Sequence, residues 1–319
     1  MGLEQFSLLT PKPRWCIFIA MKRTFLFIVT NLAVMLVLCI VYHVVIALIG
    51  PEALAEFSHG GIDFGVLAVW AVIFGMGGAF ISLLLSKPMA KWATHATVID
   101  GSEGPSERWL VDTVRQLADR ANVKMPEVAI YPGEANAFAT GAFRNSALVA
   151  VSTKIMEQMS REELRAVLGH EMSHVANGDM VTLTLLQGVL NACVLFLARV
   201  IGYVAEGALS GGKGRRRGGG GISVLVYYLM QFILGIGAAL IVNAYSRRRE
   251  YAADRGSAEL LVSPGSMIAA LRRLGNLQPG VLPDSLKAMG ISGKHASLFA
   301  THPSLEDRIA ALERLQMGL

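Results

Sequence analysis

Four long apolar runs constrain this chain more than any other feature. They cover residues 25–50, 64–86, 181–204 and 222–245. Each is long enough to cross a hydrocarbon core of ~30 Å as a helix, which takes about 20 apolar residues. The composition agrees: 53% of the residues are hydrophobic and 17% charged, with a mean hydropathy of +0.48. The sequence therefore predicts a membrane protein. The first run resembles a secretory signal, with Ala53-Leu54-Ala55 mimicking a cleavage site. It is too long for a signal core and a second run follows closely, so a retained anchor is expected.

Charge orients the first pair of runs. Lys12, Arg14, Lys22 and Arg23 precede it, and Lys87 and Lys91 follow it. The loop between the two runs carries Glu52, Glu56 and Asp63 but no lysine or arginine. This pattern places both flanks in the cytoplasm. The net charge of +5 then reads as residues that set topology, and no nucleic-acid partner is expected. Three widely spaced cysteines, an odd number, argue against a disulfide framework. The second pair of runs fits the charge rule less well. Its connecting loop, 211–221, is strongly basic, and Arg199 lies inside the third run. Residues 181–245 are expected either to span twice or to form a re-entrant hairpin, and both return the chain to the cytoplasmic side.

The runs divide the chain into an N-terminal segment with a hairpin (1–91), a more polar stretch (92–180), a second hairpin (181–245) and a polar end (246–319). In 92–180, Leu110, Val111, Val114 and Leu117 predict a helix over 106–121. Val128 to Tyr131, ended by Pro132-Gly133, predicts a strand, and further strands are expected around Phe138 and over 147–152. Ser160 with Glu163 forms a capping-box pattern, starting a helix expected to run through His174 and stop near Gly178.

On that helix lies His170-Glu171-Met172-Ser173-His174, an HExxH pattern. Four residues on a helix is just over one turn, so both imidazoles share a face and can hold one Zn2+. Glu171 then stands beside the metal-bound water as general base. A catalytic zinc needs a third protein ligand. The extended pattern would require Gly and His where Asn177 and Met180 stand. Glu250 and Asp254 lie four residues apart, on one helical face. Their spacing suits a ligand with an orienting partner, and equally an acidic pair neutralising Arg247 to Arg249.

HExxH followed by Asn177-Gly178-Asp179, together with Ser246-Arg-Arg-Arg-Glu-Tyr-Ala-Ala-Asp254, closely resembles the HtpX membrane metalloproteases, which belong to the superfamily of the CAAX prenyl proteases. The resemblance covers nearly the whole chain. It implies a membrane α+β fold, in which transmembrane hairpins accompany a mainly helical gluzincin-type domain with a small β-sheet. It implies one Zn2+ per chain, with Glu250 as third ligand beside His170 and His174, and Asp254 orienting a ligand histidine. Asn136-Ala137-Phe138 matches the start of a family segment beside the cleft, where a substrate strand would pair by β-augmentation. Thr301-His302-Pro303 matches a C-terminal element, giving His302 either an oxyanion-stabilising or a helix-packing role. Asp307 and Arg308 read as structural, and His43 as interfacial. His59, His95 and His295 read as surface residues.

The resemblance further implies a multi-pass protein of the bacterial inner membrane with its active site facing the cytoplasm. Its expected partners are the lipid bilayer and misfolded or damaged membrane proteins, cleaved under stress; a homo-oligomer is compatible with it. Two alternatives stand beside this reading: a prenyl-protein protease, and a noncatalytic membrane scaffold with a structural zinc site.

Overall fold

The structure, a computed structural model, describes residues 64–143, 145–209, 220–277 and 300–318. The chain separates into two compact units, Met1–Leu67 and Ala68–Leu319. Of the first, only the last four residues are described. The expected span at 25–50, its preceding basic residues, His43, His59 and His295 lie outside the described residues.

The described elements are α1 (Phe64–Thr94), β1 (Thr97–Ile99), α2 (Pro105–Arg120), β2 (Glu127–Tyr131), β3 (Ala137–Thr140), β4 (Leu148–Ser152), α3 (Thr153–Gln158), α4 (Arg161–Asn177), α5 (Asp179–Leu209), α6 (Gly220–Leu261), α7 (Pro264–Asn276) and α8 (Leu305–Gln316). The fold is mainly helical with one small mixed sheet, as expected. Among the described residues, three helices are long and apolar enough to cross a membrane: α1, α5 and α6. Large side chains such as Val72, Leu84, Leu225 and Phe232 stay exposed on them, as lipid-facing residues do.

Two helices run further than the hydropathy suggests. α1 continues past residue 86 to Thr94, across Pro88. α6 continues from the apolar run straight through Arg247 to Leu261. After Tyr245 the segment is rich in Arg, Glu and Ala with neither Gly nor Pro before Gly256, so nothing interrupts the helix where the hydropathy falls. β1 was not foreseen; three residues carry too little periodicity to register.

The sheet order is β1-β2-β4-β3. β2 and β4 are parallel, while β1–β2 and β3–β4 are antiparallel. Strand side chains alternate between two clusters. Val128, Ala137, Ala139, Val149 and Val151 join Leu110, Val114 and Leu168 of α2 and α4 in the main core. Ala129, Tyr131, Phe138, Leu148 and Ala150 pack with Ala90 of α1 on the opposite face. Lys87, 2.8 Å from Glu127, and Lys91 both pair with the start of β2, so the end of α1 is tied to the sheet by charge as well as packing.

Arg199, anomalous within an apolar run, has a physical explanation. It lies 20 residues after Asp179 on α5, so at 1.5 Å per residue it is about 30 Å along the helix. That matches the thickness of the hydrocarbon core, and places Arg199 at the far interface when Asp179 stands at the near one. Tyr227 of α6 lies within electrostatic reach of it and packs edge-on against Tyr228 with ring centroids 5.1 Å apart. A basic residue with paired tyrosines is typical of a membrane boundary.

Candidate metal centre

α4 begins as its capping box demands. Ser160 Oγ accepts from Glu163 N–H at 3.3 Å, and Glu163 Oε2 accepts from Ser160 N–H at 2.8 Å. It ends at Gly178, whose φ of 68° is left-handed, a conformation costly for a residue bearing a Cβ. The turn lets α5 start at the next residue and brings Asp179 back against the end of α4.

His170 and His174 face Glu250 of α6, and all three are buried or nearly so. The two Nε2 atoms are 3.2 Å apart. Glu250 Oε2 lies 3.6 Å from His170 Nε2, and Glu250 Oε1 lies 3.4 Å from His174 Nε2. A tetrahedron with metal–ligand bonds near 2.0–2.1 Å has edges of about 3.3–3.4 Å. The two imidazole nitrogens are therefore spaced as two corners of one tetrahedral site, and the Glu250 carboxylate faces both with one oxygen towards each, so the three residues fit a shared metal ion.

The other imidazole nitrogens are each held by a carboxylate. His170 Nδ1 lies 2.9 Å from Asp254 Oδ1, and His174 Nδ1 lies 2.6 Å from Asp179 Oδ2. With Nδ1–H donated to the carboxylates, both Nε2 lone pairs are free to ligate. Burial alone would lower the pKa of both histidines. For His170 the carboxylates of Asp254 and Glu250 outweigh it and raise the value. For His174, Asp179 and Glu250 carry it to about 10. The pocket thus favours positive charge at this point.

Arg308 of α8 is fully buried, with Nη2 and Nε at 2.6 and 2.8 Å from the two Asp254 oxygens. Its Nη1 lies 3.3 Å from Glu250 Oε2. Ser304 caps α8 by accepting from Asp307 N–H at 3.1 Å, which sets Arg308 one turn in. Sequence reasoning gave Arg308 a merely structural role and Asp179 none. For Asp179 a signal existed: an acid directly after a helix-ending glycine, five residues past a candidate ligand. Arg308 offered none locally, because its partners are 54 and more residues away.

Glu171 is buried beside these three side chains, and burial holds its carboxyl above the usual range despite the opposing pull of His170 and His174. Ala139 N–H of β3 donates to this carboxylate, while Glu171 Oε2 has no hydrogen-bond partner among the described residues. β3 is an edge strand. Ser152 N–H donates to Asn136 O, and Phe138 and Thr140 follow Asn136 in pointing their backbone groups at β4. Ala137 and Ala139 therefore turn theirs outward. Asn136 Oδ1 accepts from Ala137 N–H at 2.9 Å, and the Phe138 ring packs on Tyr131 with centroids 5.5 Å apart. His302 is buried, with Nδ1 3.0 Å from Glu250 Oε2 and Nε2 without a partner among the described residues. His95 is exposed.

α4 and α6 approach closely beside the candidate centre. A Cβ built on Gly256 would lie 2.5 Å from Ser173 Oγ and 2.9 Å from Ser173 Cβ. Ser257 Oγ donates to Ala166 O at 2.7 Å across the same contact. Gly256→Val is expected to push the helices apart, costing about 1–3 kcal/mol and lowering metal occupancy. Thermal unfolding and metal analysis of the purified variant check this; a stable, fully loaded variant would mean the contact is slack.

An HExxH helix, a facing glutamate and membrane-length helices in one fold define a membrane metallopeptidase. Residues 105–316 match peptidase family M48, and the chain belongs to that family, as a bacterial membrane metalloprotease of the HtpX type. It is 51% identical over 299 residues to the protease HtpX homolog of Herminiimonas arsenicoxydans, covering 93% of this chain and 100% of that one. It is 53% identical over 293 residues to the homolog of Verminephrobacter eiseniae, covering 92% and 98%. The crystal structure of S. mikatae Ste24p is similar in fold, with a TM-score of 0.55 at 18% identity. That match covers 89% of this chain and 66% of the other.

Proposed function

We propose that the chain is a zinc endopeptidase of the bacterial inner membrane that cleaves misfolded or damaged membrane proteins from the cytoplasmic side. The carrying observation is the set of three converging side chains, His170, His174 and Glu250, beside a buried glutamate and the edge of β3 that is unpaired among the described residues.

Zinc fits this donor set, two neutral imidazoles and a carboxylate. Bound there, it supplies Lewis acidity to the scissile carbonyl and acidifies the attacking water. Asp254 and Asp179 fix the ligand histidines in the ligating tautomer, and Arg308 offsets the negative charge of Glu250 and Asp254. Glu171 takes the proton of the attacking water and passes it to the leaving amine. Its unpartnered oxygen suits that role, while Ala139 N–H holds the carboxylate in place. His302 Nε2, also unpartnered, donates to the developing oxyanion, and Nδ1 steadies Glu250.

A substrate strand pairs with the outward backbone groups of Ala137 and with the outward carbonyl of Ala139, displacing the Asn136 side chain from Ala137, with Phe138 anchoring the strand from behind. Recognition through the backbone suits unfolded chains of varied sequence. The cytoplasmic orientation is supported by Lys87 and Lys91, which sit at the end of α1 and pair with Glu127 of the sheet.

The substrate class is tested by offering the purified full-length protein an unfolded membrane protein and a prenylated peptide. Zinc-dependent cleavage of the first, with little of the second, is expected. The reverse preference would assign the chain to prenyl-protein processing.

A further inference from the structure

A groove of about 790 Å³ runs between α4 and α6, lined by Arg120, Arg248, Arg249 and Arg255 with one acid, Glu259. At 100° per residue, these α6 positions lie on the face opposite Glu250 and Asp254, so the groove is separate from the metal centre. Arg120, Arg248 and Arg255 are exposed, although Arg120 Nη1 donates to Leu260 O at 2.7 Å. Arg249 is half-buried and pairs with Asp179. Its Nε is buried without a hydrogen-bond partner among the described residues. Arg248, Arg249 and Arg255, with an unsatisfied N–H among them, make a site for a phosphate group at the membrane-proximal end of the groove, while Arg120 lies at its far end.

We propose that this groove binds the phosphate of an anionic phospholipid headgroup, and that Arg249 carries its occupancy to the metal centre. The position favours a lipid source. Arg248 and Arg249 follow the apolar run of α6 by only a few residues, at the level of Asp179 where α5 begins, which is headgroup depth when these helices span. A phosphate on Arg249 Nε would fix the guanidinium that pairs with Asp179, and Asp179 in turn orients His174. Arg249 is thus a positioning residue, and this second part rests on the metal-site reading above.

The test uses the full-length protein in phosphatidylcholine nanodiscs, with and without phosphatidylglycerol. Spin-labelled phosphatidylglycerol is expected to be immobilised by the wild type. Its binding should weaken about fivefold for each arginine removed, so about twenty-five-fold in R248Q/R255Q, whose substituted side chains are exposed. R248K/R255K should recover most of the loss. Equal binding of labelled phosphatidylcholine, unchanged affinity in R248Q/R255Q, or displacement by inorganic phosphate as effective as by the lipid would overturn the headgroup site. In zinc-loaded protein, phosphatidylglycerol should slow zinc release to a chelator several-fold, and R248Q/R255Q should lose that response. Lipid binding with no change in zinc release would overturn the link through Arg249. Failure of the protein to load zinc would instead overturn the metal-site reading, and the lipid-binding result would stand apart from it.

Discussion

Glu171→Gln is expected to retain zinc near the wild-type level while lowering kcat about 10²–10⁴-fold, the range general-base removal produces. The substitution preserves shape, and the amide oxygen still accepts from Ala139 N–H, so the side chain should stay in place. It touches neither imidazole through a hydrogen bond and supplies no donor to the three-ligand cluster. What it loses is the ability to take a proton. Steady-state proteolysis beside metal analysis separates these effects. Near wild-type turnover would remove Glu171 from the mechanism, and loss of zinc would mean its role is to shape the site.

Arg308→Met is expected to have the largest effect on stability. The guanidinium is fully buried and binds both oxygens of Asp254 while approaching Glu250. The methionine has a similar length but leaves the two buried carboxylates uncompensated. Breaking a buried pair from one side costs about 3–5 kcal/mol, a large part of the ~5–15 kcal/mol that holds a typical fold. Metal occupancy should fall too, since Asp254 would be freer to swing away from His170. Arg308→Lys should rescue only partly, because an ammonium cannot reproduce the two-pronged contact. Denaturation of the detergent-solubilised variant checks this; a loss under about 1 kcal/mol would show that the pair breaks even against packing.

The elements that local chemistry determines were legible in the sequence. α4 announced itself by its capping box, its glycine stop and the HExxH spacing. β2 and β4 were visible as short apolar runs, β2 ended by Pro132-Gly133. Glu250 was only half legible. Its spacing to Asp254 put both on one face, but facing α4 is a tertiary fact 76 residues removed from His174, and the resemblance, not the spacing, implied it. The outward turn of Ala137 and Ala139 was hidden for a related reason. Which backbone groups of β3 point to β4 depends on a register set by Ser152 and Asn136, and a one-residue slip would reverse it. Arg308 was illegible because an arginine within an amphipathic helix looks solvated until the helix docks. The close approach at Gly256 was equally hidden, since only the partner Ser173 shows why a side chain is excluded there.

The most direct test of the account is the zinc content of purified wild-type protein and Glu250→Gln, measured beside proteolysis of an unfolded substrate. The wild type should hold one zinc per chain, lose cleavage to a chelator and regain it when zinc is restored. Glu250→Gln should bind zinc weakly and cleave only at high added metal. Full zinc occupancy in that variant, or chelator-resistant cleavage by the wild type, would contradict the proposed centre.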